Sequence, residues 1–252
     1  MLNSDTLRRL WIDLLSGFAL LTRLPLPDHT PRGAEQAWGW PLVGAVVGAM
    51  AGAIGSAAHG VGLPAGVTAA LVLAALAALT GGLHEDGLAD TADGLFGGWT
   101  KERRLEIMKD SRIGSYGALA LIFASLAKWS ALVSILTAGG LMPALIAAGA
   151  MSRAMMAVVM AALPPARATG LAHSVGRPSA AVALVAAGLG LVIAVLACGG
   201  VGVAMLIAGL ITTLGLVMLA RAKIGGQTGD ILGATQQLAD LAALSMVAAA
   251  LT

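Results

Sequence analysis

Apolar residues fill this chain in blocks the length of a bilayer crossing, and its polar residues gather in short islands between them. A helix needs about 20 apolar residues to cross a bilayer core. Between 37 and 83 the one ionisable side chain is His59, so that block holds two spans, turned by HGVGLPAG at 59–66. Blocks at 116–136 and 142–162 follow, divided by Gly139 and Gly140. The stretch 178–220 carries no formal charge and breaks at CGGVG into two more, and a last block, 231–251, is interrupted by Asp240. The N-terminal segment differs: over 4–21, Leu7, Leu10, Trp11, Leu14 and Leu15 share one helical face, while Asp5 and Asp13 interrupt any apolar core. That pattern predicts an interfacial helix rather than a cleaved signal peptide. The expectation is an all-α, polytopic membrane bundle of about seven spans, a single catalytic domain over 1–252.

Composition agrees, and charge adds a direction. The chain is 58% hydrophobic and 11% charged, where soluble domains carry roughly 25% charged residues. Abundant Ala and Gly suit helices packed closely through small residues. The lone cysteine, Cys198, excludes an intramolecular disulfide framework. Lys and Arg fall in the N-terminal segment, in 84–115, in 163–178 and in 221–230, and are missing from the alternate turns near Gly62, Gly140 and Gly200. Cytoplasmic loops collect Lys and Arg, so the N-terminus and every charged island are expected on the cytoplasmic side of the cell (inner) membrane.

The densest island is GGLHEDGLADTADGLFGG, residues 81–98, where Glu85, Asp86, Asp90 and Asp93 crowd into nine positions. On a helix, Asp86, Asp90 and Asp93 share one face. Like charges that close repel unless a cation intervenes, and hard oxygen donors suit Mg²⁺, which takes a few carboxylates plus substrate phosphate oxygens. Asp86, Asp90 and Asp93 are therefore candidate catalytic and metal residues, with Glu85 as a further ligand and His84 as base or ligand. The competing reading is a solvated loop whose acids cap a helix.

Two more islands point to phosphate. In KERRLEIMKDSRIGSYG, 101–117, Lys109, Asp110, Ser111, Arg112 and the Gly114–Gly117 backbone around Tyr116 offer donors that match phosphate oxygens. In KIGGQTGDILGA, 223–234, Gly226, Thr228 and Gly229 can wrap a phosphate, and Asp230 can add a carboxylate to the metal or cap the last helix. Lys128 and Arg153 lie inside spans, where a charge usually faces a cavity or a partner. Arg153 either reaches toward phosphate or snorkels to the interface.

These residues carry a resemblance. HxDGxADxxDG within 84–94, MKDSRIGSYG at 108–117, TRLPLP at 22–27 and GGQTGDILGA at 225–234 resemble the motifs of the cobalamin synthase family, the adenosylcobinamide-GDP ribazoletransferases, in order along nearly the whole chain. The resemblance implies a Mg²⁺-dependent membrane transferase of late cobalamin assembly. Its substrates would be adenosylcobinamide-GDP and α-ribazole or its 5′-phosphate, with GMP released. It implies the lipid bilayer and no nucleic acid as partners, and leaves open self-association or a complex with other late enzymes of the pathway. The rivals are another Mg²⁺-dependent membrane phosphotransferase or prenyltransferase, and a cation transporter. The Ala-Arg pair expected of CDP-alcohol phosphotransferases is replaced by Ala89-Asp90, a second Asp-rich motif is missing, and no internal repeat suggests a transporter.

Overall fold

The computed structural model describes residues 3–251, which form eleven α-helices, one 3-10 turn and a single parallel backbone bridge between Pro165 and Gln227. Residues 1, 2 and 252 of the expected domain lie outside the described range. The helices are α1 (Ser4–Leu21), α2 (Trp40–Gly60), α3 (Ala65–Thr80), α4 (Leu83–Gly97), α5 (Lys101–Ile107), α6 (Ser115–Thr137), α7 (Leu141–Ala162), α8 (Leu171–Val175), α9 (Ala180–Cys198), α10 (Val201–Ile224) and α11 (Gly229–Leu251).

Among the described residues six helices are long and apolar enough to span a membrane: α2 with the 3-10 turn before it, α6, α7, α9, α10 and α11. The bent pair α3–α4, counted as one broken span, brings the number to seven. The expected count of about seven spans therefore stands, and the protein is a multi-pass helical membrane protein.

Small residues set its packing. α7 is the central helix, buried along nearly its whole length. α2 crosses it where Gly44 and Gly149 lie backbone to backbone, so closely that a Cβ on either would strike the other's carbonyl. Without a hydrophobic force between helices in lipid, such close backbone contact is what holds spans together. α9 and α10 form the outer wall, with Leu184, Leu196, Ile211 and Leu214 turned outward as a lipid-facing surface should be. α1 is fastened at its middle: buried Asp13 accepts from Trp38 Nε1 at 3.0 Å and pairs with Arg32 at 3.0 Å. Trp11 and Leu7 remain outward, consistent with an interfacial helix.

The chain departs from a plain bundle at residues 81–82. Gly81 (φ 67°) and Gly82 (φ 70°) are both left-handed, a conformation glycine adopts without a Cβ penalty. Two in succession end α3 and swing α4 through 91°. The acidic stretch after 83 is thereby helix, as the shared-face reading of its acids required and against the competing loop, and its acids are laid across the end of the bundle.

Candidate active site

The turn at Gly81–Gly82 aims the two faces of α4 at different neighbours. Asp86 is exposed and Asp90 half-buried, one helical turn apart on the open side. Asp230 arrives from α11 because α4 and α11 touch at Gly87 and Gly233, where a Cβ on Gly87 would sit 3.0 Å from the Gly233 Cα. The Asp230 carboxylate does not cap its helix; the Thr228 hydroxyl does, accepting from Ile231 N at 3.3 Å. Thr228 also donates to Asp230 Oδ2 at 3.0 Å, and Arg167 pairs with the same oxygen at 3.3 Å.

Facing Asp86 and Asp90 across a cavity of about 660 Å³ are Lys109, Asp110, Ser111 and Arg112, with Arg23 at its side. Arg112 grips Asp110 through two nitrogens, Nη2 to Oδ2 at 2.6 Å and Nε to Oδ1 at 3.0 Å. These charge-assisted bonds pull the Asp110 carboxyl down to about 2. Three stretches distant in sequence thus meet at one end of the bundle, as their shared side of the membrane required.

Several expected site residues stand elsewhere. Asp93 is buried and turned to α6, where Oδ2 accepts from Gly114 N at 2.7 Å and Oδ1 from Gly117 N at 2.9 Å. It caps α6 with both oxygens and so fixes the start of that helix relative to α4. Tyr116 is exposed and its ring lies 5.9 Å from that of Phe96, outside the cavity lining. Gly226 is packed against the Pro164 carbonyl, beside the bond from Gln227 N to Pro164 O at 2.8 Å. Its backbone closes two loops together.

Glu85 turns away from Asp86, into a second polar region behind α4. There Glu85 Oε1 accepts from Gln237 Nε2 at 3.0 Å, and Lys128 pairs with Asp240 at 2.8 Å and donates to Gln237 Oε1 at 2.7 Å. Gln236 donates to Ser152 at 3.1 Å, and Arg153 donates to the Gly149 carbonyl at 3.3 Å. A cavity of about 120 Å³ lies among them. Arg153 is buried in this region rather than snorkelling. His84 is buried in the wall between this region and the first turn of α11.

Among the described residues no three His, Cys, Asp or Glu side chains are grouped tightly enough to form a complete metal centre. Asp93 is turned to α6 and Glu85 to Gln237, and Asp86, Asp90 and Asp230 do not by themselves close around one point. What remains at the open face is Asp86 and Asp90 with Asp230 beside them, an all-oxygen donor set. Mg²⁺ is commonly held by one or two carboxylates while substrate phosphate and water fill its other positions, so these residues fit it.

Sequence reasoning passed over Arg167, Arg23, Gln236 and Gln237 as site residues. Arg167 had a faint signal, a cation between PPA and TG in a turn-rich loop. The glutamines were a polar pair inside an apolar block, upstream of Asp240.

The fold and this site define a multi-pass membrane protein with its chemistry gathered at one end of the bundle, around carboxylates carried on two crossing helices. The chain belongs to the cobalamin-5-phosphate synthase family, whose model matches residues 13–248. It is 41% identical to an adenosylcobinamide-GDP ribazoletransferase of Sinorhizobium medicae over 261 residues, 97% of this chain and 99% of the relative. A protein of the same name from Bradyrhizobium diazoefficiens is 41% identical over 98% of this chain and 96% of its own. One from Brucella ovis is 44% identical over 92% and 94%. No solved structure matches the chain.

Proposed function

We infer that this protein is an adenosylcobinamide-GDP ribazoletransferase, joining adenosylcobinamide-GDP to α-ribazole, or its 5′-phosphate, with release of GMP. The observation that carries the reading is near-full-length similarity to transferases of that name at 41% and 44% identity, in a chain whose polar islands gather at one end of the bundle. Family membership sets aside the phosphotransferase, prenyltransferase and transporter alternatives.

The chemistry is an exchange at one phosphorus. The ribose 3′-oxygen of α-ribazole forms a bond to the phosphorus on the corrinoid aminopropanol arm. The bond from that phosphorus to the GMP oxygen breaks, and the hydroxyl proton passes to a carboxylate. Catalysis of this kind rests on positioning and charge neutralisation. Asp86 and Asp90, with Asp230, would hold Mg²⁺, which when bound supplies positive charge to the diphosphate. Lys109 and Arg112 face the same cavity and stabilise the negative charge that departs with GMP. Arg167 holds the Asp230 carboxylate in place. Asp93 sets α6 against α4, so the loop carrying Lys109 and Arg112 keeps its distance from the acids. The mouth faces the cytoplasm of the cell membrane, supported by the Lys and Arg content of the islands that form it.

The test is to incubate the purified protein in lipid with adenosylcobinamide-GDP, α-ribazole and Mg²⁺ and to look for a cobamide and GMP by mass spectrometry. Absence of both products over a Mg²⁺ titration, in a folded preparation, overturns the reading.

A further inference from the structure

A cavity of about 200 Å³ lies on the other side of Asp86 from the large open one. Its body is apolar: Leu21 from α1, Trp40 and Met156 and Met160 from α2 and α7, with Val175 of α8 over it. Its far end is polar, where His84, Asp86, Arg167 and Asp230 meet. Three of its lining residues carry a buried nitrogen with no hydrogen-bond partner: Trp40 Nε1, His84 Nε2 and Arg167 Nη1. Trp40 and His84 are each 1% exposed. A buried polar atom left unpaired costs on the order of 1–3 kcal/mol, and native interiors hold few of them. Each of these three atoms is itself sealed from the cavity space, so a ligand that pairs them must draw their side chains inward.

The ligand's chemistry follows from the walls. Trp40 and Arg167 can only donate, so the ligand brings acceptors. The wide apolar body requires a flat hydrocarbon-rich part, and a cavity of about 150 Å³ already holds a benzene ring. A lipid acyl chain would fill the body and leave the nitrogens unpaired. Guanine would carry its own polar edge into apolar walls, which is costly. A bicyclic aromatic base matches a space of this size among Trp40, Met156 and Met160, and a ribose attached to it would lie beyond the cavity's polar end, toward the carboxylates and Arg167.

We propose that this cavity is the acceptor subsite, binding the aromatic base of a riboside on one side of Asp86 while the diphosphate-bearing corrinoid occupies the large polar cavity on the other. The proposal rests on the transferase reading above. It gives Asp86, which lines both cavities, its place between nucleophile and leaving group. Those two must lie roughly in line across the phosphorus.

Met156→Trp fills the body of the cavity. In the full-length protein in lipid, the expected result is a KM for α-ribazole raised about tenfold or more, with the KM for adenosylcobinamide-GDP within about twofold of its starting value, a tenfold step being about 1.4 kcal/mol. Trp40→Phe keeps an aromatic face but loses the pyrrole half of the indole and its donor, and is expected to raise the α-ribazole KM severalfold; it carries the test should Met156→Trp not accumulate. Binding is read separately from turnover, by isothermal titration calorimetry with α-ribazole in the absence of corrinoid and Mg²⁺, in the wild type and each variant. Cobamide formation with an α-ribazole KM unmoved by either substitution overturns the subsite, as does a rise confined to the corrinoid KM. A wild-type chain that binds α-ribazole, loses that binding in the variants and makes no cobamide keeps the cavity and overturns the transferase reading.

Discussion

Glu85 and Asp86 are neighbours in sequence and belong to different worlds. Consecutive residues on a helix point about 100° apart, and α4 lies where that angle separates an open mouth from a sealed interior. On the Asp86 side, carboxylates face a cavity of about 660 Å³ opposite Lys109 and Arg112. On the Glu85 side, Lys128, Asp240, Gln236 and Gln237 satisfy one another within the bundle. Charges left open to solvent can serve a ligand, whereas charges closed on themselves serve the fold. The same helix does both because its position at the bundle's end gives it one wet face and one dry one.

The comparison breaks most decisively at its first term. Asp86→Ala is expected to lower kcat by about a thousandfold or more, roughly 4 kcal/mol of barrier, with the protein still folded in detergent. Glu85→Ala should retain most of its turnover. Equal losses in the two, measured by cobamide production, would erase the division between the faces.

The sealed side is tested by stability. Lys128→Met leaves Asp240 buried without its partner, and breaking a buried pair costs about 3 kcal/mol or more. Lys128→Met combined with Asp240→Leu should recover most of that loss in denaturant unfolding. A double variant no more stable than the single would mean that the loss comes from elsewhere than an unpaired Asp240, such as the lost Lys128–Gln237 bond.

Asp93 belongs to neither face and sharpens the boundary. Asp93→Ala removes the acceptor of two amides at the start of α6, a cap worth about 1–2 kcal/mol. Faster hydrogen exchange at Gly114 and Gly117 with an unchanged Mg²⁺ requirement would make Asp93 a positioning residue. A shifted Mg²⁺ requirement would return it to the metal.

The smallest effect is expected at Asp110. Its carboxyl is held at about 2 by Arg112, below the ordinary value of roughly 4. Because the folded value is depressed, the pair's contribution is complete above that ordinary value and fades only as pH falls toward 2. The Asp110–Arg112 pair should therefore add no inflection to the pH–rate profile between pH 5 and 8. Asp110→Asn should lower kcat/KM for the corrinoid substrate less than tenfold, since exposed pairs contribute little.

Much of this was legible because membranes simplify the problem. Apolar blocks divided by Gly and Pro located the spans, and the spacing of Asp86 and Asp90 placed them on one face once α4 formed. The alternation of Lys and Arg put distant islands on one side, which is why Asp230 could be expected near them. What escaped depends on rotation about helix axes. Nothing local says that Glu85 meets Gln237 or that Asp93 meets two amides of α6. Arg167 looked like one more basic loop residue, because its partner lies 63 positions away. Trp40, Met156 and Met160 read as ordinary lipid-span residues, and only the assembled bundle leaves a space between them.

The paired left-handed glycines have a mechanical consequence for the surrounding lipid. By ending α3 early they leave a helix of 16 residues, about 24 Å long at 1.5 Å per residue, against a hydrocarbon layer of about 30 Å. Val67 and Leu71 on its outer surface are exposed, so the bilayer must meet this stub directly, and lipid accommodates a short helix by thinning around it. Thinning of that kind around α3 would lower the membrane surface beside α4, which the Gly81–Gly82 end of α3 carries. Water-borne reactants would then approach α4 through a dimple in the membrane surface, at a depth that elsewhere would be oil.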